Sequence, residues 1–438
     1  MVTPQSFRVR MYNVGFGDCF LLSFYYDAPT VSTLDPTNAR TERHVLIDFG
    51  STSGPRSRLS AKRVAELVSA DSGERLDAIV ISHRHKDHLS AFGTQATAKV
   101  LSRTNPLLVV RSWTENPRLP ANSGQGGEAS LAEASTSDER YLGRLRAGEE
   151  LAERIVRRAQ ALGQGRRTSL VQLAAGETRN ASAVSELERL SAKGRGEYVY
   201  AGRRTRLNGV APGVSFRVIG PPKPRQWPAV TRQAAQSEEF WLTATGQIGR
   251  LFSEAPADTA VELGTTRWII DRLRRDERRQ VANLVRWLDD ALNNTSVVLL
   301  IEVGEHRLLF GGDAQIENWG WALDRAGKEP ELERALAAVT LYKVGHHGSR
   351  NATPKSLYRR WENRPADRPL ISMMSTKSNV HGSGETAVPR STLVEALKAC
   401  GQVLSTDVGD SDWVEVRAAL PSGAFEAAQA PTRLPTEA

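Results

Sequence analysis

The stretch LDAIVISHRHKDH, residues 76–88, places a short apolar strand pattern directly before three histidines and an aspartate. Imidazole and carboxylate groups are ligands for zinc and similar divalent ions. His83 and His85 are two residues apart, so an extended turn can present both on one side. Asp87 and His88 follow at the start of the next predicted helix. The pattern predicts one half of a metal site, either for two neighbouring ions or for one ion with a polar surrounding.

Strand and helix patterns alternate around this stretch. Strand signals occur at residues 7–13, 20–25 and 44–48 before it, and paired strand signals return after residue 296. Two of the later strands end in GGDA, which contains Asp313, and in GHHGS, which contains His346 and His347. Such alternation predicts an α/β protein.

Composition predicts an ordinary globular protein. The chain has 438 residues, of which 40% are hydrophobic and 25% charged, enough for one large domain or two ordinary ones. We find no apolar run long enough for a transmembrane helix and no signal-peptide pattern, so we expect no membrane association. With only Cys19 and Cys400, a disulfide framework is not expected, and the predicted location is cytoplasmic.

The chain is basic, with a net charge of +8 and a pI near 9.6. A basic surface attracts polyanions, and arginine suits phosphate recognition. The alternative is a gene whose base composition favours arginine codons. Residues 191–209, SAKGRGEYVYAGRRTRLNG, have the pattern of an exposed basic hairpin or loop.

Several of these segments together resemble the metallo-β-lactamase-fold hydrolases. Asp48, after the strand HVLI, resembles the first motif of that family, and HRHKDH resembles the second. Asp313 in LLFGGDA resembles its metal-bridging aspartate, and KVGHHGS resembles its final histidine motif. The resemblance implies a four-layer αβ/βα sandwich, in which two β-sheets pack face to face between helices and the site lies at one edge.

A narrower resemblance is to the soluble hydrolase domain of the ComEC competence protein. It is carried by VGFGDCFLL, by LNNTSVVLLIEVGEHRLLFGGDA, by LYKVGHHGSRNAT and by the segment that begins at SNVHGSGE. Only the hydrolase unit is matched, so DNA uptake is not implied. On this basis residues 1–425 form one hydrolase domain. It is interrupted by a helical Arg/Ala/Glu-rich insertion at 118–212 and an irregular insertion at 222–264, and it is followed by a flexible tail at 429–438.

The resemblance implies a set of metal ligands and neighbours. The expected metal ligands are His83, His85, Asp87, His88, Asp313 and His346. The interval that often supplies another histidine has no well-placed one, and Glu115, at a predicted strand end, is our candidate replacement. Asp18, Asp48, Asn294 and Ser296 are expected beside the ligands. We favour His346 over His347 as the ligand, with the reverse order left open.

The expected reaction is hydrolysis by metal-activated water, with one or two Zn²⁺ or Mn²⁺ ions as the cofactor. Asp87 would orient the water or accept its proton, and His347 or His381 would protonate the leaving oxygen. Lys343 and Arg350 would bind a phosphate group, which favours phosphodiester bonds in nucleic acid or a nucleotide.

Two other functions stay open at this stage. The first is hydrolysis of a carboxylic ester, a lactone or a thioester, since fold alone does not fix the substrate. The second is a metal-binding scaffold or sensor without catalysis. The helical insertion would then be available to contact a protein partner.

Overall fold

The computed structural model describes residues 2–55, 59–119, 136–161, 180–232, 237–242, 283–380, 387–408 and 411–429. The chain divides into two compact units. The first unit consists of Met1–Pro120, Asn180–Trp241 and Asn293–Ala438, and the second of Ala121–Arg179 and Leu242–Leu292.

The first unit contains an eight-stranded sheet. Its strands are β1 (Ser6–Tyr12), β2 (Cys19–Ser32), β3 (Asp35–Phe49), β4 (Ala78–Val80), β5 (Leu108–Ser112), β6 (Gly196–Val199), β13 (Trp413–Ala419) and β14 (Glu426–Gln429). Their order is β14-β13-β1-β2-β3-β4-β5-β6. Strands β3 to β6 run parallel, and the other neighbours are antiparallel.

A six-stranded sheet completes the strands of this unit. It is formed by β7 (Val214–Gly220), β8 (Val298–Val303), β9 (His306–Phe310), β10 (Leu341–Lys343), β11 (Leu370–Met374) and β12 (Gly401–Ser405). The order is β12-β11-β10-β9-β8-β7, with β9 to β12 parallel. The hairpin β8–β9 turns at Gly304, which has a positive φ of 56°.

Helices follow the strands along the chain. They are α1 (Ala61–Asp71), α2 (Lys86–Leu89), α3 (Gln95–Arg103), α4 (Ser137–Ala161), α5 (Ala181–Leu190), α6 (Ile316–Ala326), α7 (Pro330–Ala337), α8 (Lys355–Tyr358) and α9 (Ser391–Cys400). Short 3₁₀ turns lie at Ser90–Gly93, Trp113–Glu115, Arg206–Gly209, Pro228–Thr231 and Gly345–Gly348.

One buried apolar cluster contains side chains from both sheets. Phe20 of the first sheet meets Phe310 of the second with ring centroids 5.6 Å apart, edge to face. Phe24 and Phe216 make a similar contact at 6.3 Å. Because side chains alternate between the two faces of a strand, the inward-facing residues of each strand build this shared core.

Two further clusters join the other sheet faces to helices. The first contains Leu46, Ile79 and Val109 with Val64 of α1, Leu101 of α3 and Leu187 of α5. The second contains Leu300, Leu309 and Tyr342 with Trp319 of α6, Leu336 of α7 and Leu397 of α9. The structure is therefore a mixed α/β fold with two sheets and helices, compatible with an α/β sandwich, and the α/β class expected from the sequence is confirmed.

The second unit contains α4 and the helical residues 283–292. A capping box begins α4: Glu139 N–H donates to Thr136 Oγ1 at 3.3 Å, and Thr136 N–H donates to Glu139 Oε2 at 2.8 Å. The hydroxyl of Tyr141 donates to the carbonyl of Ala291 at 3.1 Å. The bond from Tyr141 to Ala291 joins two segments that lie far apart in sequence.

The unit boundaries differ from the insertions we expected. Residues 180–212 belong to the first unit, because β6 pairs with β5 and α5 packs in the first unit's core. Of the predicted insertions, residues 120–135, 162–179, 233–236 and 243–264 lie outside the described residues, as does most of the predicted tail. Even the longest of the described helices lacks the apolar run needed to cross a bilayer.

Candidate metal centre

The candidate site residues follow the carboxyl ends of parallel strands. Asp48 is the penultimate residue of β3, and residues 82–88 follow β4. Asp313 follows β9, and the turn Gly345–Gly348 follows β10. A backbone hydrogen bond joins the two sheets at this edge: the N–H of Val297, just before β8, donates to the carbonyl of Ser82, just after β4, at 2.8 Å.

Asp48 accepts two hydrogen bonds from Ser82, the residue that begins the histidine turn at residues 82–88. Its Oδ1 accepts from Ser82 N–H and its Oδ2 from Ser82 Oγ–H, both at 2.7 Å. The same Oδ2 lies 2.9 Å from His88 Nδ1. Asp48 has a positive φ of 56°, a backbone conformation that costs a non-glycine residue about 1–3 kcal/mol. Asp48 therefore positions His88 and the turn, as its place beside the ligands predicts.

Four side chains bring ligand atoms into one group. One atom each from Asp87, His88, Asp313 and His347 lies within 4.8 Å of all the others. His88 Nε2 is 3.1 Å from Asp313 Oδ2, and His347 Nε2 is 3.1 Å from Asp87 Oδ2. Ligand atoms around one ion at about 2.1 Å lie roughly 3.0–3.4 Å apart. These buried groups are close enough to bind a metal ion.

The orientation of both imidazoles suits an ion. His88 Nδ1 faces the Asp48 carboxylate, and His347 Nδ1 faces the carbonyl of Ser375 at 2.8 Å. Both oxygens are acceptors, so each Nδ1 carries a hydrogen and each Nε2 is the atom that can hold either a second proton or a metal ion. Metal-binding histidines are commonly fixed in this way. Within the described chain, the buried His88 Nε2 and Asp313 Oδ2 have no hydrogen bond of acceptable geometry, which a shared metal ion would explain.

The structure reverses our preferred order for the two adjacent histidines. His347 is fully buried and belongs to the four-residue group, whereas His346 is 25% exposed and its Nε2 lies 3.9 Å from Asp313 Oδ2. Both residues have positive φ values, 44° and 52°. This backbone turns the two side chains in different directions. The sequence GHH alone could not separate them.

His83 and His85 form a separate pair. His83 Nε2 lies 2.9 Å from His85 Nδ1, and both side chains are buried. Burial and the neighbouring imidazoles of His88 and His85 hold the pKa of His83 well below its usual range. A neutral imidazole is the form that binds metal. Neither of the metal-binding groups found within the described residues includes this pair.

A second group lies on the other side of His88. It consists of Asp18, Asp48 and His88. Lys343 Nζ reaches into this region, 2.5 Å from Asp18 Oδ2 and 3.4 Å from Asp313 Oδ1. The ammonium also donates to the carbonyl of Gly312 at 3.0 Å. Lys343 is only 2% exposed, so the substrate-binding role we expected for it is wrong, and it is an internal counter-charge instead.

The charges explain why this site favours cations. Burial alone would lower the pKa of His88, but Asp313, Asp87 and Asp48 raise it well above its usual range. Burial likewise opposes ionisation of Asp87 and Asp313, yet His88 and the other nearby cations lower both pKa values. His88 thus binds a proton because the carboxylates of Asp313, Asp87 and Asp48 attract positive charge to it. A divalent ion would satisfy the same carboxylates.

Asn294 and Ser296 support the Asp313 turn. Ser296 Oγ accepts from the backbone N–H of Asp313 at 3.1 Å. Asn294 Oδ1 accepts from the N–H groups of Gln315 and Asn318 at 3.1 and 3.2 Å, at the start of α6. Gly312, between these contacts, has a positive φ of 53°, and a Cβ there would lie 2.6 Å from Ser82 Cβ. Asn294 therefore caps a helix rather than facing the ligands, while Ser296 orients Asp313.

Three other predicted site residues have different outcomes. Glu115 lies in the turn Trp113–Glu115, 3.8 Å from Arg111 and outside both metal-binding groups found in the described chain. Arg350 places its guanidinium 5.2 Å from the ring centre of Phe240. His381 lies outside the described residues. The structure thus does not place Glu115 with the ligands.

Two residues that orient the ligands were missed in the sequence. Ser82 bonds Asp48, and Ser375 accepts from His347. Each directly follows a short strand pattern that runs toward the site. That position at a strand end was the only available signal, and it does not distinguish a supporting serine from an ordinary turn serine.

Comparison of the chain with protein-family models, with curated proteins and with solved structures found no match in any of the three. The function is therefore inferred from the residues of the site.

Proposed function

We propose that this protein is a metal-dependent hydrolase that cleaves phosphodiester bonds with metal-activated water. We further propose that its two sheets and outer helices form the four-layer αβ/βα sandwich of the metallo-β-lactamase fold. The three buried clusters and the position of the site at one strand-end edge support that arrangement. The sequence resemblance in HRHKDH, GGDA and GHHGS supports it independently.

The observation that carries the proposal is the group of Asp87, His88, Asp313 and His347. Its two imidazoles have their Nδ1 atoms fixed and their Nε2 atoms facing carboxylates. Mixed nitrogen and oxygen donors suit Zn²⁺ or Mn²⁺. Such an ion, when bound, lowers the pKa of a bound water and polarises a phosphoryl oxygen. The pair of His83 and His85 is available for a second ion.

The chain's own groups supply the remaining functions. Asp87 is 14% exposed and ionised, because its pKa is lowered, so it can accept a hydrogen bond from the attacking water. His346 is partly exposed beside Asp313. Burial lowers the pKa of His346 to about 4, so its imidazole is neutral near pH 7 and can accept a proton from the attacking water. Protonation of the leaving oxygen, which we had expected of His347 or His381, is then assigned to His381.

A phosphodiester is favoured by the charge around the site. Arg350 follows GHHGS directly, is partly exposed and is the remaining predicted phosphate contact. The net charge of +8 favours an anionic substrate. Lys343 contributes no direct contact, so this preference depends on Arg350 and on the overall charge.

Hydrolysis of bis(p-nitrophenyl) phosphate with added Mn²⁺ or Zn²⁺ tests the proposal. We expect activity in the wild type, a loss of at least about 100-fold in Asp87→Asn, and no loss in the half-exposed control Asp324→Asn on α6. p-Nitrophenyl acetate is assayed in parallel. Activity on the acetate alone would replace the phosphodiester with a carboxylic ester, and activity on neither substrate would overturn the hydrolase.

A further inference from the structure

The basic loop at residues 200–206, which follows β6, lies at the same edge of the sheet as the residues that follow β4. Strands β3, β4, β5 and β6 are parallel neighbours, so their carboxyl ends face one way. His83 follows β4, and Tyr200 follows β6. Adjacent strands lie about 4.8 Å apart, which puts the end of β6 roughly 10 Å from the end of β4.

The loop has an uncompensated positive charge. Residues 200–206 contain three basic side chains, Arg203, Arg204 and Arg206, and no acidic one; the nearest acidic residue in sequence is Glu197 in β6. Glu197 is 6% exposed, and it accepts from Thr205 Oγ1 at 2.9 Å and from Arg206 N–H at 3.0 Å. The carboxylate of Glu197 is therefore buried and hydrogen-bonded to residues 205 and 206, and it does not face the exposed arginines' outer surface. Arg203 and Arg204 are exposed and form no ion pair with any acidic residue of the described chain.

Aromatic rings hold cations beside these arginines. Lys223 Nζ lies 4.4 Å from the ring centre of Tyr200 and 5.2 Å from that of Trp113. The guanidinium of Arg203 lies 5.8 Å from the same Tyr200 ring. Cations held over aromatic faces keep their charge and lose little further freedom when they bind an anion.

Backbone bonds fix the loop against the second sheet. Ala201 N–H donates to the carbonyl of Pro221 at 2.8 Å, and Gly202 N–H donates to that of Val218 at 2.9 Å. Gly202 has a positive φ of 79°, a backbone conformation that glycine adopts without strain in a tight turn. The arginines that follow are therefore presented from a fixed turn rather than from a free strand.

We propose that Tyr200, Arg203, Arg204 and Lys223, here called the basic rim, bind the sugar–phosphate backbone of a nucleic-acid strand. The spacing lets one strand contact the rim while another of its phosphodiester bonds lies at the metal centre. This deepens the proposed function, on which it rests for the reaction. It identifies the substrate as a polynucleotide, because the separate cations of the rim can each contact a different phosphate while another bond of the same strand lies at the metal centre. Binding itself requires neither metal nor cleavage.

Fluorescence anisotropy of a labelled oligothymidylate, in EDTA and over a series of NaCl concentrations, tests the rim. We compare the wild type with Arg203→Gln/Arg204→Gln. The matched control is Arg359→Gln/Arg368→Gln, which removes the same charge from exposed positions. Arg368 precedes β11, at the opposite end from Ser375 and the metal centre.

We expect the rim variant to bind at least about tenfold more weakly at low salt. The slope of log K against log salt should fall by about 0.7 for each lost phosphate contact. The control should stay within about twofold of the wild type. Equal losses in the two variants, or no loss in the rim variant, would overturn the rim.

The rim and the hydrolase can fail separately. A wild type that binds the oligonucleotide through the rim but cleaves no phosphodiester with any ion would retain the rim and contradict the hydrolase. A wild type that hydrolyses bis(p-nitrophenyl) phosphate but binds no oligonucleotide would contradict the rim alone.

Discussion

Lys343 Nζ lies 2.5 Å from Asp18 Oδ2, and both side chains are almost completely buried. The same ammonium is 3.4 Å from Asp313 Oδ1. Lys343 therefore compensates one carboxylate of the site and touches a carboxylate of the metal-binding group. A fixed cation here stabilises the metal-free fold and also weakens the attraction of the group for an added ion.

The change Lys343→Met separates these two effects. Removing one partner of a buried ion pair leaves an uncompensated charge, so we expect the metal-free protein to lose about 3–5 kcal/mol of unfolding free energy. The unfolding free energy gained from a saturating divalent ion should be larger than in the wild type. Urea unfolding with and without metal measures both, with the exposed Lys328→Met as the control. Equal destabilisation with and without the ion would contradict this role.

The two adjacent histidines should respond differently to truncation. His347→Ala removes a donor of the four-residue group, so we expect bound metal to be lost on dialysis. His346→Ala leaves that group complete, so metal content should be retained while hydrolysis falls by about 10²–10⁴-fold. Elemental analysis and phosphodiester assays of both variants check this. Retained metal in His347→Ala, with loss in His346→Ala, would restore our original order.

Asp48→Asn should weaken metal binding without removing a ligand. The amide keeps the size of the side chain but no longer offers a carboxylate to His88 Nδ1, 2.9 Å away. Loss of such an orienting partner typically costs about 10–100-fold in metal affinity. Isothermal titration with Zn²⁺ measures the change. An affinity within twofold of the wild type would show that Asp48 does not position His88.

The metal-free protein should lose stability as the pH rises. The folded-state pKa values of His88 and His347 are raised by the surrounding aspartates. Their contribution is fully present below the unfolded value of about 6.5 and is lost as the pH rises through the folded values. The lowered pKa values of Asp87 and Asp313 act at the acidic end, where stability is lost as the pH falls.

Urea unfolding in EDTA from pH 6 to 9 measures this dependence. We expect stability to decline over that interval without metal and to decline less with saturating Zn²⁺, since the ion then replaces the protons. A flat profile in EDTA would mean that the imidazoles carry no excess protons.

The sequence predicted the strand ends well because parallel strands must deliver their carboxyl ends to one edge. HVLID, LDAIVIS, LLFGGDA and LYKVGHH each end at residues that the structure brings to the group of Asp87, His88, Asp313 and His347 or beside it. The choice between His346 and His347 depended on two left-handed backbone conformations, which no composition or period reveals. The role of Lys343 was missed because a lysine beside a motif reads as a surface cation, and burial is visible only in the folded chain.

The end of the first predicted insertion differs from the unit boundary in the structure for a related reason. Residues 180–212 read as a continuation of the polar, arginine-rich segment. In the structure α5 contributes Leu187 to the first unit's core, and β6 pairs with β5 along four residues. A short edge strand and a three-turn helix have too weak a pattern to overcome the composition around them.

The most direct test of the metal centre is elemental analysis of the purified protein after exposure to Zn²⁺ or Mn²⁺ and dialysis. It compares the wild type, Asp313→Asn and the half-exposed control Asp324→Asn. We predict one tightly held ion per chain in the wild type and in the control, and none in Asp313→Asn, whose circular dichroism should match the wild type. No bound ion in the wild type, or equal metal in all three proteins, would contradict a metal centre at Asp87, His88, Asp313 and His347.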